Sequence, residues 1–201
     1  MIPIIDNGHG GVENNQYLTP PRIGKFYTFS DGTTIHEGEF NRAITARVIE
    51  SLYNKGIPYY VLVPEQRDIS LKKKRDNRVL RTNKLHQKHK GKVFLVSIHS
   101  NAGGGTGSEV FISKKASHNS QSLAAWTKAL FVKHFPESSF RGIKRKNFTI
   151  ITDTLCPAIL VECFFMDNKH ECKTYLKTKE GRDRIAAWIV DIIESFIKYH
   201  S

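Results

Sequence analysis

The sequence has no apolar run near the roughly 20 residues that a membrane-spanning helix needs, which predicts that no segment of the chain crosses a bilayer. The N-terminus MIPIIDNGHGG has no basic segment followed by an apolar one, so it predicts no secretory signal. The chain also has no internal repeat, low-complexity linker or sharp change in composition. At 201 residues, these absences favour a single domain of ordinary size covering residues 1–201.

Cysteine is scarce, and its spacing excludes two kinds of site. The three cysteines are Cys156, Cys163 and Cys172, and no pair has the CxxC spacing. A disulfide framework or a thiolate zinc site would require more cysteines in tighter groups. The pattern therefore indicates unpaired thiols in a chain that folds under reducing conditions.

Acidic residues are also in short supply. The chain has 19 Asp and Glu against 31 Lys and Arg, which leaves a formal net charge of +12. Residues 72–92 alone contain ten of the basic residues and a single acid. This stretch is typical either of the solvated face of a surface helix or of a surface that binds a polyanion, such as nucleic acid or an anionic cell-wall polymer.

Apolar runs and helical periodicities alternate along the chain. The predicted strands are 3–7, 58–63, 92–98, 107–113, 147–152 and 157–165. The predicted helices are 39–55, about 70–89 with Ser70 as N-cap, about 120–134 and about 181–199. Residues 12–36 are polar and rich in turn residues, which predicts a long loop with a hairpin at 26–35. The alternation predicts a three-layer α/β fold, with helices on both faces of a mostly parallel sheet.

Polar residues that could carry chemistry follow or interrupt these strands. His9 and His99 each come directly after a strand, Glu162 lies inside an apolar strand, and Glu37 and Glu39 stand at the start of the first helix. Taken singly, a glycine-flanked histidine is typical of a turn, and a glutamate at a helix start complements the helix dipole. Glu162 is harder to explain in this way, because a carboxylate without a partner is costly to bury.

Taken together, these residues indicate a metal centre. Ligands of open α/β sheets bind at the carboxyl ends of the strands, so we expect the side chains to meet at one edge. Two imidazoles and one carboxylate are a ligand set of catalytic zinc, which keeps a fourth position for water. Zinc lowers the pKa of that water to about 7, and a further carboxylate nearby would accept its proton. The glycines of GHGG and NAGGG would let metal and substrate approach the backbone closely.

Five stretches occur in order along essentially the whole chain: IIDNGHGG, EGEFNRAITARVIESL, RVLRTNKL, LVSIHSNAG and PAILVECFFMDN. Together they resemble the zinc-dependent N-acetylmuramoyl-L-alanine amidases of bacterial cell-wall remodelling and phage lysis. IIDNGHGG is similar to the opening strand-and-histidine motif of that family, and EGEFNRAITARVIESL to its glutamate and first helix. RVLRTNKL resembles the arginine and asparagine of its second helix. LVSIHSNAG resembles its second-histidine motif, and PAILVECFFMDN the strand with its catalytic glutamate.

The resemblance implies a twisted sheet of about six strands and assigns roles to particular residues. Glu162 would be the general base that later protonates the departing amine. Asn101 and Arg78 lie in matching motifs and are candidates for substrate binding. The implied ligands of one Zn²⁺ ion are His9, Glu37 and His99.

The resemblance also implies an activity, a substrate and a location. The enzyme would cleave the amide bond between N-acetylmuramic acid and L-alanine in peptidoglycan. We also expect a monomer with no specific nucleic-acid partner. Without a visible leader or wall-binding domain, the sequence favours a phage lysis enzyme, which stays in the host cytoplasm until lysis and then acts on the wall, over a cellular wall amidase. The net charge of +12 would attract it to anionic wall components.

Some alternatives remain open from the sequence. Glu39 competes with Glu37 as the second ligand, although EFNRAI keeps the family's register when Glu37 is chosen. The spacing from His9 to Glu37 is long for the family because of the loop at 12–36. A zinc peptidase or deacetylase would have the same metal set. A nucleic-acid-binding protein with structural histidines would use the basic stretch 72–92 instead.

Overall fold

The centre of the molecule is a six-stranded sheet, seen in a computed structural model that describes residues 1–17, 25–69, 71 and 76–200. The strands in chain order are β1 (Ile2–Asp6), β2 (Val12–Glu13), β3 (Gln16–Tyr17), β4 (Phe26–Thr28), β5 (Thr34–His36), β6 (Tyr60–Val61), β7 (Val93–Asn101), β8 (Ser108–Ile112), β9 (Phe140–Arg145) and β10 (Ala158–Phe165). The helices are α1 (Glu37–Asn54), α2 (Arg78–Lys88), α3 (His118–His134), α4 (Thr149–Thr152), α5 (Lys169–Glu171) and α6 (Lys179–Tyr199), with a π-helical turn at Cys172–Leu176.

The sheet has the order β6-β1-β7-β10-β8-β9 and is mostly parallel, as the sequence predicts. Only the pairing of β10 with β8 is antiparallel. Because β1, β7 and β10 are parallel neighbours, their carboxyl ends meet at one edge of the sheet. The remaining strands form two short ribbons, β2-β3 and β4-β5, and the second of these is the hairpin predicted at 26–35.

Helices cover both faces of the sheet, which confirms the predicted three-layer arrangement. One apolar core lies between the sheet and α1, α3 and α6, and a second core lies on the face that α2 and α4 cover. Alternate residues of a strand point to opposite faces, so Val96 and Ile98 enter the first core and Leu95 the second. None of the helices in the described residues is long and apolar enough to cross a membrane.

The same alternation decides which side chains share the face of the second core. In β10, Leu160 belongs to the second core and Cys163 to the first, so Glu162 lies on the second-core face. In β7, His99 lies on that face because it is four residues from Leu95. Cys163 therefore faces away from Glu162, as its position in the strand predicts.

One predicted element is wrong and one was missed. Residues 147–152 are not a strand, since Thr149–Thr152 form the short helix α4, whose Ile150 and Ile151 pack into the second core. The sixth strand is instead β9, an edge strand of sequence FRGIKR with only intermediate or exposed residues. Such a strand lacks the buried apolar run or clear apolar alternation by which strands are recognised.

The basic helix is shorter than predicted. Helix α2 begins at Arg78, and the side chain of Asn77 caps it by accepting a hydrogen bond from the Leu80 amide at 2.8 Å. The predicted cap Ser70 and the basic residues 72–75 lie outside the described residues. The other long helices agree with their predicted ranges to within two residues at each end.

Candidate metal centre and active site

Three side chains from separate elements converge at the carboxyl edge of the sheet. His9 follows β1, Glu37 is the first residue of α1, and His99 lies near the end of β7. All three residues are buried, and one potential ligand atom from each lies within 4.8 Å of the other two. The structure thus brings together the three residues that the sequence predicts as metal ligands.

The glycine-rich loop after β1 places His9 against the start of α1. His9 has a backbone φ of 69°, a conformation that non-glycine residues seldom adopt. The side chain of Arg42 holds the loop by donating hydrogen bonds from Nη1 to the carbonyl oxygens of Asn7 and His9, at 2.8 and 2.7 Å. A Cβ atom on Gly38 would lie 1.6 Å from the carbonyl oxygen of Gly10, so only glycine permits this close approach of helix and loop.

Glu37 and Glu39 have separate roles, although both lie in the first turn of α1. Glu37 Oε1 lies 2.8 Å from His99 Nδ1, and Glu37 Oε2 lies 3.6 Å from His9 Nε2. Glu39 instead forms a bidentate ion pair with Arg182 of α6, with both N–O distances at 2.7 Å. The geometry therefore places Glu37, and not Glu39, beside the two histidines.

A lysine side chain already places a cation among the three candidate ligands. Lys25 Nζ lies 2.7 Å from His9 Nε2 and donates a hydrogen bond to Glu37 Oε2 at 3.0 Å. Burial alone would raise the pKa of Glu37, but His9, His99 and Lys25 outweigh this effect and lower it to about 2. The centre is therefore built to hold positive charge beside an ionised carboxylate.

The donor set fits zinc. Two imidazole nitrogens and one carboxylate oxygen are a three-residue set found in catalytic zinc sites. The ligand atoms are close enough to share one ion, and the ammonium of Lys25 already bridges two of them. His9 turns Nε2 toward the cluster and His99 turns Nδ1 toward it.

Glu162 lies beside this cluster on the central part of the sheet. It stands opposite His99 of β7 and opposite Glu109 of β8 in the strand register. Its Oε2 atom is buried and makes no hydrogen bond within the described residues. Burial raises the pKa of Glu162 to about 7; the charge of Glu37 adds to this increase, while His99 and Lys25 oppose it. Such a carboxyl group can both accept and return a proton near neutral pH.

A cavity of about 430 Å³ opens over these groups. It is lined by Lys25 and by the six residues that the family resemblance assigns to the site. One wall is apolar and is formed by Leu71, Phe148, Ile150 and Leu160. The six predicted residues on its surface are His9, Glu37, Arg78, His99, Asn101 and Glu162.

Asn101 and Arg78 are both engaged with carboxylates of the protein. Asn101 Nδ2 donates a hydrogen bond to Glu109 Oε1 at 3.0 Å. Arg78 Nη1 donates to both oxygens of the buried Asp6, at 3.1 and 3.2 Å. Each side chain therefore reaches the cavity while a protein carboxylate holds it in place.

Sequence reasoning missed Lys25 and the partners of the two histidines. Ser97 carried a usable signal, because a polar residue two positions before His99 must share its face in a strand that is otherwise apolar. Lys25 carried no such signal, since it is one of 31 basic residues and reaches the cluster only through the folding of a long loop.

Known proteins are similar to this chain over nearly its whole length. The sequence model of the N-acetylmuramoyl-L-alanine amidase family matches residues 4–195. An uncharacterised cell wall amidase of Bacillus anthracis is 26% identical over 203 residues, which cover 95% of this chain and 35% of that protein. The uncharacterised protein YqiI of Bacillus subtilis is 25% identical, over 96% of this chain and 82% of YqiI. The chain therefore spans about a third of the length of the first relative.

A solved structure is similar over nearly the whole chain. The crystal structure of an N-acetylmuramoyl-L-alanine amidase from Clostridium difficile 630 superimposes with a TM-score of 0.75 at 25% identity. The match covers 98% of this chain and 96% of that one.

Proposed function

The chain belongs to the N-acetylmuramoyl-L-alanine amidase family, and from this premise we propose that it cleaves peptidoglycan at the amide bond between the lactyl group of N-acetylmuramic acid and L-alanine. The observation that supports the proposal is the cluster of His9, Glu37 and His99, which lies beside the partly buried carboxyl group of Glu162 in one cavity. An amide hydrolase needs a way to activate water and a group that moves a proton to the leaving nitrogen. This arrangement offers residues for both tasks.

His9, Glu37 and His99 would hold one Zn²⁺ ion, which when bound makes a water molecule more acidic and polarises the scissile carbonyl group. The ammonium of Lys25 must leave His9 Nε2 and Glu37 Oε2 when the ion binds, because both atoms would then face the metal. Glu37 stays ionised at neutral pH, so it can act as an anionic ligand without losing a proton first.

Glu162 would carry the proton through the reaction. In its ionised form it accepts a proton from the attacking water while the new carbon–oxygen bond forms. As the carbon–nitrogen bond breaks, Glu162 returns that proton to the nitrogen of L-alanine, and the lactyl group is left as a carboxylic acid. Burial, which raises the pKa of Glu162, suits both steps, because it makes the protonated form easier to reach near neutral pH.

The products test this proposal. Zinc-loaded protein is incubated with peptidoglycan, and the products are identified by mass spectrometry. We expect stem peptides with a free L-alanine amino terminus and glycan strands that keep their lactyl groups. New peptide termini elsewhere would indicate a peptidase, released acetate would indicate a deacetylase, and either result would contradict the proposal.

Two variants examine the role of Glu162. We expect Glu162→Gln to release L-alanine termini about a hundredfold more slowly or worse, because Gln cannot accept the proton. Glu50→Gln, an exposed position on α1, is the matched control and should retain full activity. Equal rates for Glu162→Gln and the unmodified protein would show that another group is the base.

We also propose that the enzyme is a phage lysis protein that acts on the wall after release from the cytoplasm. The net charge of +12 supports the second step, because it favours approach to anionic wall polymers. The test is expression in a bacterial host with and without a separately encoded holin. Lysis that depends on the holin is expected, whereas lysis without it would contradict the proposed route.

A further inference from the structure

The ring nitrogens that face away from the cluster point toward two carboxylates. His99 Nε2 lies 3.1 Å from Ser97 Oγ, and Ser97 Oγ donates a hydrogen bond to Asp6 Oδ2 at 2.6 Å. A carboxylate can only accept, so the Ser97 hydroxyl hydrogen goes to Asp6, and the Ser97 oxygen accepts from His99 Nε2–H. This chain of bonds fixes the proton on Nε2 and leaves Nδ1 for the cluster.

Asp68 occupies the equivalent position behind His9. Its Oδ2 atom lies 3.6 Å from His9 Nδ1, on the far side of the ring from Nε2, which faces Lys25 and Glu37. Asp68 lies between β6 and α2 and is partly buried. A carboxylate in this position favours the tautomer of His9 with its proton on Nδ1, and therefore a free Nε2.

A single guanidinium connects the two carboxylates. Arg78 Nη1 donates to Asp6, and Arg78 Nε lies 4.0 Å from Asp68 Oδ1. Arg78 Nε and Asp68 Oδ1 are both buried, and neither has a hydrogen-bond partner in the described part of the chain. Their ion pair therefore offsets part of the cost of burying these two atoms. The fold makes room for the guanidinium at Gly8, where a Cβ atom would lie 1.8 Å from Nη1. Arg78 itself is only 3% exposed.

We propose that Arg78 is a positioning residue for the metal centre, and that it acts through Asp6 and Asp68 rather than by binding substrate. The inference rests on the proposed metal centre. Arg78 balances the charge of the two carboxylates and holds them behind the histidines. Without Arg78 the buried Asp6 would lose the cation that donates to it and the partly buried Asp68 would lose one of its neighbouring positive charges, so both carboxylates would turn. The rings of His9 and His99 would then lose the partners that set their tautomers.

The first test measures zinc affinity by competition with a chromophoric chelator. We expect Arg78→Met and Asp68→Asn each to weaken zinc binding about ten- to a hundredfold, as the loss of an outer-sphere partner of a ligand does in other zinc sites. The double variant should lose little more than Arg78→Met alone, because Asp68 acts on His9, which Arg78 already affects through Asp68. Arg81→Met is the matched control: Arg81 lies one turn along α2 and pairs with Glu65 and Asp76 outside the cluster.

The second test uses nitrogen chemical shifts of the histidine rings in the zinc-loaded protein. We expect the unmodified protein to show a protonated Nδ1 on His9 and a protonated Nε2 on His99. In Asp68→Asn the ring-nitrogen chemical shifts of His9 should change, while those of His99 should not. Because Asp68 lies in a partly exposed segment, this variant keeps the test valid even if Arg78→Met fails to fold.

The outcomes of these tests separate the proposed metal centre from the proposed positioning role of Arg78. If the unmodified protein takes up no zinc, the metal centre itself is wrong, and this inference falls with it. If the unmodified protein binds zinc tightly and Arg78→Met and Asp68→Asn bind it equally well, only the positioning role is wrong. A higher KM for peptidoglycan in Arg78→Met with unchanged zinc affinity would make Arg78 a substrate-binding residue instead.

Discussion

Replacing Glu162 by Gln should stabilise the metal-free protein at high pH while it slows the release of L-alanine termini about a hundredfold or more. The ordinary pKa of a glutamate is 4.5, and burial raises that of Glu162 to about 7. The folded protein therefore binds a proton more tightly than the unfolded chain. Between these two pKa values the free energy of unfolding must fall as the pH rises, because the ionised carboxylate is harder to bury.

The size of the effect follows from the difference between the two pKa values. One pKa unit corresponds to about 1.4 kcal/mol, so the shift from 4.5 to about 7 sets an upper limit of about 3 kcal/mol. Gln has nearly the same shape but does not titrate. The stability of Glu162→Gln relative to the unmodified protein should therefore rise by about 2 to 3 kcal/mol between pH 5 and pH 8.

Urea unfolding with a chelator present measures this difference. Both proteins are unfolded at several pH values from 5 to 8, with the exposed-site variant Glu50→Gln as control. The difference in free energy of unfolding between Glu162→Gln and the unmodified protein should grow steadily as the pH rises. The same difference for the control Glu50→Gln should stay constant. A gap for Glu162→Gln that does not change with pH would refute the raised pKa, and with it the argument for Glu162 as a base poised near neutrality.

Three further predictions concern the cluster and the helix beside it. Lys25→Met should bind zinc about tenfold more tightly in a chelator competition, because no ammonium must be displaced from two charge-assisted hydrogen bonds; weaker binding would contradict this. Glu37→Gln should lose bound zinc in elemental analysis after dialysis, whereas Glu39→Gln should retain it, and the reverse result would make Glu39 the ligand. Gly38→Ala should lower the thermal unfolding midpoint, because its Cβ would lie 1.6 Å from the carbonyl oxygen of Gly10; an unchanged midpoint would show that the loop adapts freely.

The meeting of His9, His99 and Glu162 could be predicted, because it depends on the order of the strands along the chain. His9 follows β1 and His99 lies near the end of β7, two strands with strong apolar signals, and Glu162 interrupts a third strand. Parallel strands bring their carboxyl ends to one edge, so three separate polar residues become neighbours without any detailed packing argument. The register of EFNRAI favours Glu37 over Glu39, and the structure separates them further, because Glu37 contacts His99 whereas Glu39 pairs with Arg182.

The positions of Lys25 and Asp68 beside the histidines could not be predicted, because they depend on packing between distant segments. Asp68 and Lys25 lie in long connections with no periodicity, and their positions follow from how those connections fold over the sheet edge. Strand β9 was missed for a related reason: its basic, half-exposed residues do not show the apolar alternation of a buried strand. Short edge strands with charged side chains are common, since such charges oppose pairing with another chain.

The most direct measurement of the central claim is the release of L-alanine amino termini from peptidoglycan as zinc is returned to chelated protein. The account predicts almost no release from the chelated protein. It then predicts a rise with added zinc that saturates near one equivalent per chain, because His9, Glu37 and His99 form one ligand set. Release at the full rate from the chelated protein, or no release at any zinc level, would contradict the account.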